Sequence, residues 1–215
     1  MEAATQMLRP AEVLLDIGCG IMPQRLLLPK VHVCCEPFAQ YVGILRESIR
    51  DERDRSWLIL QASWEECVTI FSEQSVDTVI LMDVIEHLDH GDGVRLLRAT
   101  EAIARQQVVV FTPLGFMPQH HEDGRDAWGL EGGTVQEHRS GWLPEDFAEN
   151  WDVIATRRFH FNDNAGNPLP EPFGALFAIK THVLKEVVAP LAKAEAAAHA
   201  VLGRAFRYLR RRARR

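Results

Sequence analysis

The residues best suited to chemistry begin with an acid and two glycines, Asp16, Gly18 and Gly20, in the stretch VLLDIGCG at 13–20. An apolar run that ends in an acid and passes into glycines one residue apart reads as a buried strand delivering its last carboxylate to a tight turn. Glycine there lets a ligand approach the backbone closely, and a helix start after such a turn offers unpaired N–H groups to an anion. Glu36 closes the next apolar segment, 20 residues after Asp16. A carboxylate in that place can accept both hydroxyls of a ribose, so turn and acid together suit an adenosine-type ligand. A dinucleotide site would continue as GxGxxG to lay a pyrophosphate on the helix, but Pro23 stands where the third glycine belongs.

These residues need elements to hold them. Short apolar segments, EVLLDIG, VHVCCEP, SWLILQA, VDTVILMDV and QQVVVFTP, alternate with helical stretches such as FAQYVGILRESIRDE and GDGVRLLRATEAIAR. That rhythm predicts an α/β fold with a parallel sheet covered by helices on both faces. Two further strands, WDVIATRRFHF and FGALFAIK, flank NDNAGNPLPEP, whose Asn, Gly and Pro content forbids a helix, so they are expected to pair as an antiparallel hairpin at one edge. Between the fifth strand and this hairpin runs an irregular, histidine-bearing segment from Leu114 to Trp142. Connections of that length inside a compact domain are usually functional, and this one leaves the carboxyl end of a parallel strand, where open α/β sheets bind ligands.

Composition narrows the setting. With 215 residues, 47% of them hydrophobic, the chain can bury one sizeable core. No apolar run reaches the roughly 18 residues of a membrane span and the first residues lack a signal-peptide profile, so a soluble, cytoplasmic protein is expected. The four cysteines show no metal-ligand spacing and read as reduced core residues, with Cys34 and Cys35 pointing to opposite faces of a strand. Residues 203–215 carry seven arginines and no acid, so the net charge of −6 leaves −13 on the remainder. An acidic body with a basic tail argues against general nucleic-acid binding.

DIGCG at 16–20, CCEP at 34–37, VDTVILMDVIEHL at 76–88 and VVVFTP at 108–113, in this order and spacing, resemble the class I S-adenosylmethionine-dependent methyltransferases. The resemblance spans residues 11 to about 181. It implies a Rossmann-like three-layer sandwich, a mostly parallel seven-stranded sheet with an antiparallel C-terminal hairpin, and S-adenosylmethionine bound across the carboxyl ends of the first four strands. Carried over, Asp16, Gly18 and Gly20 would hold the methionine end of the cofactor, Glu36 the ribose diol, and Asp83 would lie beside the methionyl chain and sulfonium. At the adenine position the family often has an Asp-Ala pair, whereas this chain has QASWEE; Ser63 and Trp64 are placed there, the hydroxyl toward the adenine edge and the indole over its face. Asp83 and Glu86 also fit a plain alternative, a D-x-x-E capping box at a helix start.

Methyl transfer from a sulfonium is an in-line displacement in which the cofactor brings the electrophile, so the protein supplies position and, for a hydroxyl acceptor, a base. His138 and His87 are the candidate bases, although imidazole serves equally as a loop anchor. Glu86, His87, His90 and the loop histidines are also of metal-ligating type, but the Glu-His dipeptide is widespread in metal-free branches of the family, and no metal is expected. The loop around HRSGWLPEDF is expected to cover the acceptor, with Phe116, Trp128 and Trp142 as pocket walls. Beyond a domain at 1–182, residues 183–215 read as a basic amphipathic helical extension that could lie on an anionic membrane surface or dock a partner. The expected function is methyl transfer to an oxygen of a small-molecule or glycan-like acceptor. The alternative is a noncatalytic S-adenosylmethionine-binding partner subunit.

Overall fold

The computed structural model describes residues 2–121, 123–163 and 166–182. The expected helical extension at 183–215 lies outside the described residues. In chain order the elements are α1 (Glu2–Thr5), β1 (Val13–Ile17), β2 (Val31–Cys35), α2 (Ala39–Ser48), β3 (Ser56–Leu60), α3 (Trp64–Ile70), β4 (Val76–Met82), α4 (His90–Ile103), β5 (Ala104–Pro113), β6 (Asp152–Asn162) and β7 (Pro168–Thr181). They build a seven-stranded sheet in the order β3-β2-β1-β4-β5-β7-β6. The first five strands are parallel, while β7 runs antiparallel to both β5 and β6. The α/β reading and the edge hairpin thus stand as expected.

Side chains alternate across the sheet, as the two-residue period of a strand requires. Leu15, Ile17, Val33, Cys35, Val79, Leu81, Val108 and Val110 share one core with Cys67 of α3 and Leu96 and Ile103 of α4. On the opposite face Cys34 packs with Cys19 and with Leu45 of α2, and Ala4 of α1 packs with Phe111, Ala175 and Phe177. Helices therefore cover both faces, giving three layers. Cys34 and Cys35 belong to different cores, and all four cysteines are free and buried.

Two local devices bear on the site. Asp77 at the start of β4 accepts the backbone N–H groups of Glu12 and Val13, each at 2.9 Å, and also the side chains of Arg105 and Gln106, pinning the entries of β1, β4 and β5 together. Trp142 is fully buried and lies against α4 at Gly93, where an added Cβ would stand 2.4 Å from the indole. Among the described residues no helix is long and apolar enough to cross a membrane.

Candidate active site

The strand order reverses between β1 and β4: from β1 the chain builds outward through β2 and β3, then returns to place β4 and β5 on the other side. A crevice opens at the carboxyl ends of strands where such a reversal occurs. Here it holds two adjoining cavities of about 220 and 360 Å³. Gly18, Asp83, His87 and Gln136 line both.

The smaller cavity is floored by the turn after β1. Gly18 has φ +69°, and a Cβ there would stand 2.9 Å from Val84, so both conformation and space demand glycine. Its N–H donates to the Cys35 carbonyl at 2.8 Å, tying the turn to the end of β2. Glu36 lines this cavity and is buried, so it is not an ordinary solvated acid. Its Oε2 accepts the Gly20 N–H at 3.0 Å and its Oε1 the Phe38 N–H at 2.9 Å. Each oxygen keeps a further lone pair. Burial pushes the Glu36 carboxyl above its ordinary pKa, and the two backbone N–H groups pull against that shift.

Two expected ligand residues lie outside both cavities. Asp16 lines neither cavity; its buried Oδ2 accepts the Gln24 N–H at 2.9 Å and lies 3.1 Å from His32 Nε2. It sits beneath the turn and shapes it. Ser63 also lines neither cavity, because its hydroxyl caps α3: it accepts the Glu66 N–H at 3.3 Å while the Glu66 carboxylate accepts the Ser63 N–H at 2.8 Å. The capping box lies here, and Ala62 and Trp64 face the smaller cavity instead. Gly20 lines the larger cavity only.

The D-x-x-E pair after β4 is not a cap. Asp83 has φ +53°, a left-handed conformation rare outside glycine and often found at functional sites. The one-turn 3₁₀ helix Ile85–His87 that follows begins at Val84 without a side-chain cap. The Asp83 side chain faces the solvent of both cavities yet lies deep among protein atoms, and this burial raises its pKa to about 6. Glu86 is buried, with Oε2 accepting the Thr112 hydroxyl at 2.9 Å and Oε1 meeting no donor among the described residues. Burial, and then the neighbouring Asp83 carboxylate, push Glu86 well above the ordinary carboxyl range.

His87 and His138 meet edge to face, with ring centroids 4.9 Å apart. His87 Nδ1 lies 3.1 Å from the Glu137 carbonyl, and His138 Nδ1 lies 2.6 Å from the Met117 carbonyl. A carbonyl only accepts, so each Nδ1 carries the proton and each Nε2 is left with a lone pair in the neutral ring. Burial keeps both rings neutral: it lowers the His87 pKa to about 4, with His138 adding to the shift, and lowers that of His138 as well.

The HRSGW segment does not simply close over the site; it clamps the Ile85–His87 turn. Arg139 and Ser140 N–H groups donate to the Glu86 carbonyl at 2.7 and 3.0 Å, and the Ser140 hydroxyl donates to the Ile85 carbonyl at 3.1 Å. Trp142 Nε1 donates to that same hydroxyl oxygen at 3.0 Å. Trp142 is therefore a core anchor, and Phe116 is exposed and outside both cavities. Of the three expected aromatic walls only Trp128 lines a cavity, the larger one, near Gly20. Its stretch of loop is tied to α2, where the Tyr41 hydroxyl bonds the Asp126 carboxylate and the Glu131 N–H donates to Gln40 at 3.0 Å. His90 stacks on Trp142 and stays outside both cavities.

Other lining residues went unnoticed in the sequence. Gln119 leaves the loop to face the larger cavity, and His160 and Asn162 reach it from β6. Two residues apart on a strand, the latter pair share a face. That spacing was the only signal available, and it gained meaning once the hairpin was folded against β5.

No protein-family model matches the sequence, and no curated protein matches it. Solved structures do. TehB from Haemophilus influenzae is 14% identical over 84% of this chain and 61% of its own, with a TM-score of 0.55. WbdD with its C-terminal bundle ordered is 18% identical over 84% of this chain and 33% of its own, with a TM-score of 0.52. The bifunctional kinase-methyltransferase WbdD, in another structure, is 18% identical over 81% of this chain and 35% of its own, with a TM-score of 0.48. The chain thus spans less than two thirds of the length of these structures. The likeness shows the fold alone, a Rossmann-like three-layer arrangement around a mostly parallel seven-stranded sheet.

Proposed function

We propose that this chain transfers a methyl group from S-adenosylmethionine to an oxygen of a small-molecule or glycan-like acceptor. The observation that carries the reading is the pair of cavities meeting at Asp83 and His87, one lined by Glu36 and Trp64 and the other by histidines and amides. The description of WbdD as a kinase-methyltransferase supports it at the level of reaction type.

The residues suit the cofactor. Gly18 keeps the turn bare where a side chain would collide with Val84, and Glu36 has lone pairs for two ribose hydroxyls. Trp64 offers an aromatic face beside Ala62. Asp83 places a carboxylate where the two cavities join. When bound, S-adenosylmethionine supplies a methyl group on a sulfonium, an electrophile that needs an aligned nucleophile. The acceptor hydroxyl belongs in the larger cavity, and the Nε2 lone pair of His138 or His87 can take its proton as oxygen attacks.

Calorimetric titration with S-adenosylmethionine and with its demethylated product, with NADH as control, tests the cofactor half. Micromolar binding of the first two and none of NADH is expected. Binding of NADH alone would overturn the reading. Screening hydroxylated acceptors with isotopically labelled methyl donor then tests turnover, and cofactor binding without turnover on any acceptor would favour a noncatalytic partner subunit.

A further inference from the structure

Three side chains in the larger cavity carry more than a proton-accepting role requires. Glu86, His87 and His138 each bring a ligand-type atom within 4.8 Å of the other two. Both Nδ1 atoms are committed to backbone carbonyls, leaving Nε2 as the nitrogen with a lone pair, and Glu86 Oε1 is buried without a donor. With the Glu86 carboxyl ionised, as a bound cation would hold it, every atom left over among these three groups accepts and none donates. Asp83 adds a fourth group, a second carboxyl, on the same wall.

We propose that Glu86, His87 and His138 form a divalent-cation site on the acceptor side of the cavity, against the expectation that the chain binds no metal. Two imidazoles and one carboxylate are the donor set of first-row ions such as Zn²⁺ and Mn²⁺ when positions are kept open for substrate. Rings whose second nitrogen is held by a carbonyl have the orientation and tautomer that metal ligation needs. Donors about 2.1 Å from a tetrahedral ion lie about 3.4 Å apart, so the observed grouping needs only a small contraction. The Thr112 hydroxyl and the clamp on the Glu86 carbonyl fix the remaining ligand.

The inference rests on the reading of this cavity as the acceptor's, and it replaces the histidine base with a Lewis acid. An acceptor hydroxyl on the cation is acidified. Its oxygen forms the new C–O bond as the sulfonium C–S bond breaks, and its proton passes to the Asp83 carboxylate.

The test uses the full chain stripped with a chelator. Zn²⁺, Mn²⁺ and Mg²⁺ are titrated calorimetrically, bound metal is counted by mass spectrometry, and Co²⁺ is followed by its visible absorption. One Zn²⁺ or Co²⁺ per chain is expected, with Mg²⁺ much weaker. His138→Asn and His87→Asn keep an N–H near the Nδ1 position while removing Nε2, and each should weaken binding roughly tenfold or more. Circular dichroism melts verify that these variants fold. Absence of a stoichiometric ion, or unchanged affinity in both variants, overturns the proposal. So does binding that survives them but is lost in Cys34→Ser, which would put the ion at the buried Asp16, His32 and Cys34 cluster. S-adenosylmethionine affinity of the stripped protein is measured separately, so failure of the methyltransferase reading stays distinguishable from failure of the cation site.

Discussion

Glu36 concentrates the cofactor argument in one carboxylate. Buried at the end of β2, it already accepts one backbone N–H on each oxygen, and its remaining lone pairs face the smaller cavity. Glu36→Ala should weaken S-adenosylmethionine binding by about 1–3 kcal/mol, the worth of charge-assisted hydrogen bonds, as read by calorimetry. Because the same carboxylate steadies Gly20, Glu36→Gln, which keeps one acceptor oxygen, should lose less. Equal affinity in wild type and Glu36→Ala would remove the ribose assignment. The sequence made Glu36, Asp83, His87 and His138 legible because each follows a strand end or a recognisable motif. Asp16 and Ser63, expected at the ligand, stand outside both cavities with protein partners of their own, because a carboxylate or hydroxyl beside a turn can serve the ligand or the backbone and spacing does not separate the two. Glu86 was hidden by its likeness to a cap: D-x-x-E fits a helix start, but the left-handed backbone at Asp83 turns the pair into the crevice wall.

At the level of elements, the strands were readable from their apolar, β-branched runs, while the long loop was not. Its order comes from contacts distant in sequence, chiefly the bonds from 137–142 to the Ile85–His87 turn, and no local period encodes them. Trp142 anchors that clamp. Trp142→Ala should cost about 3–5 kcal/mol by emptying a fully buried site, seen as a lower urea midpoint. Should the clamp depend on the indole, hydrogen exchange at Arg139 and Ser140 N–H will rise as well; protection equal to wild type would return Trp142 to simple core packing. Asp77 does comparable work at the opposite end of the strands. Burial raises its pKa, but the N–H groups of Val13 and Glu12 and the Arg105 guanidinium outweigh that, so the folded value is depressed. A depressed folded pKa means stability that is present above the ordinary aspartate range and lost as pH falls through the folded value. Asp77→Ala should therefore destabilise by about 2 kcal/mol at neutral pH, with the gap to wild type narrowing below about pH 4. Denaturant titrations across that range check it; a gap independent of pH would exclude the ionised carboxylate as its source.

For the whole molecule, strand order does what no single segment reveals. Gly18, Glu36 and Asp83 follow three different strands, and they meet because β2 and β4 flank β1 at the point where the sheet reverses. The alternation of strands and helices predicted a parallel sheet, yet the order of those strands was not legible, since hydropathy carries no information about which parallel neighbour a strand selects. Charge is the other property of the whole. Residues 203–215 hold seven arginines against −13 on the rest of the chain, and Leu202, Phe206 and Leu209 recur among them at helical spacing. Such a segment is drawn to anionic lipid by roughly 1 kcal/mol per basic residue close to the surface, an attraction that salt screens. The acidic remainder opposes it, so binding should be reversible and confined to strongly anionic vesicles. Co-sedimentation with phosphatidylserine-rich vesicles should retain the full chain at low salt and release it at high salt, and deletion of 203–215 should abolish retention. If the deleted chain sediments as well as the full one, the arginines serve a partner or solvent and the membrane reading fails.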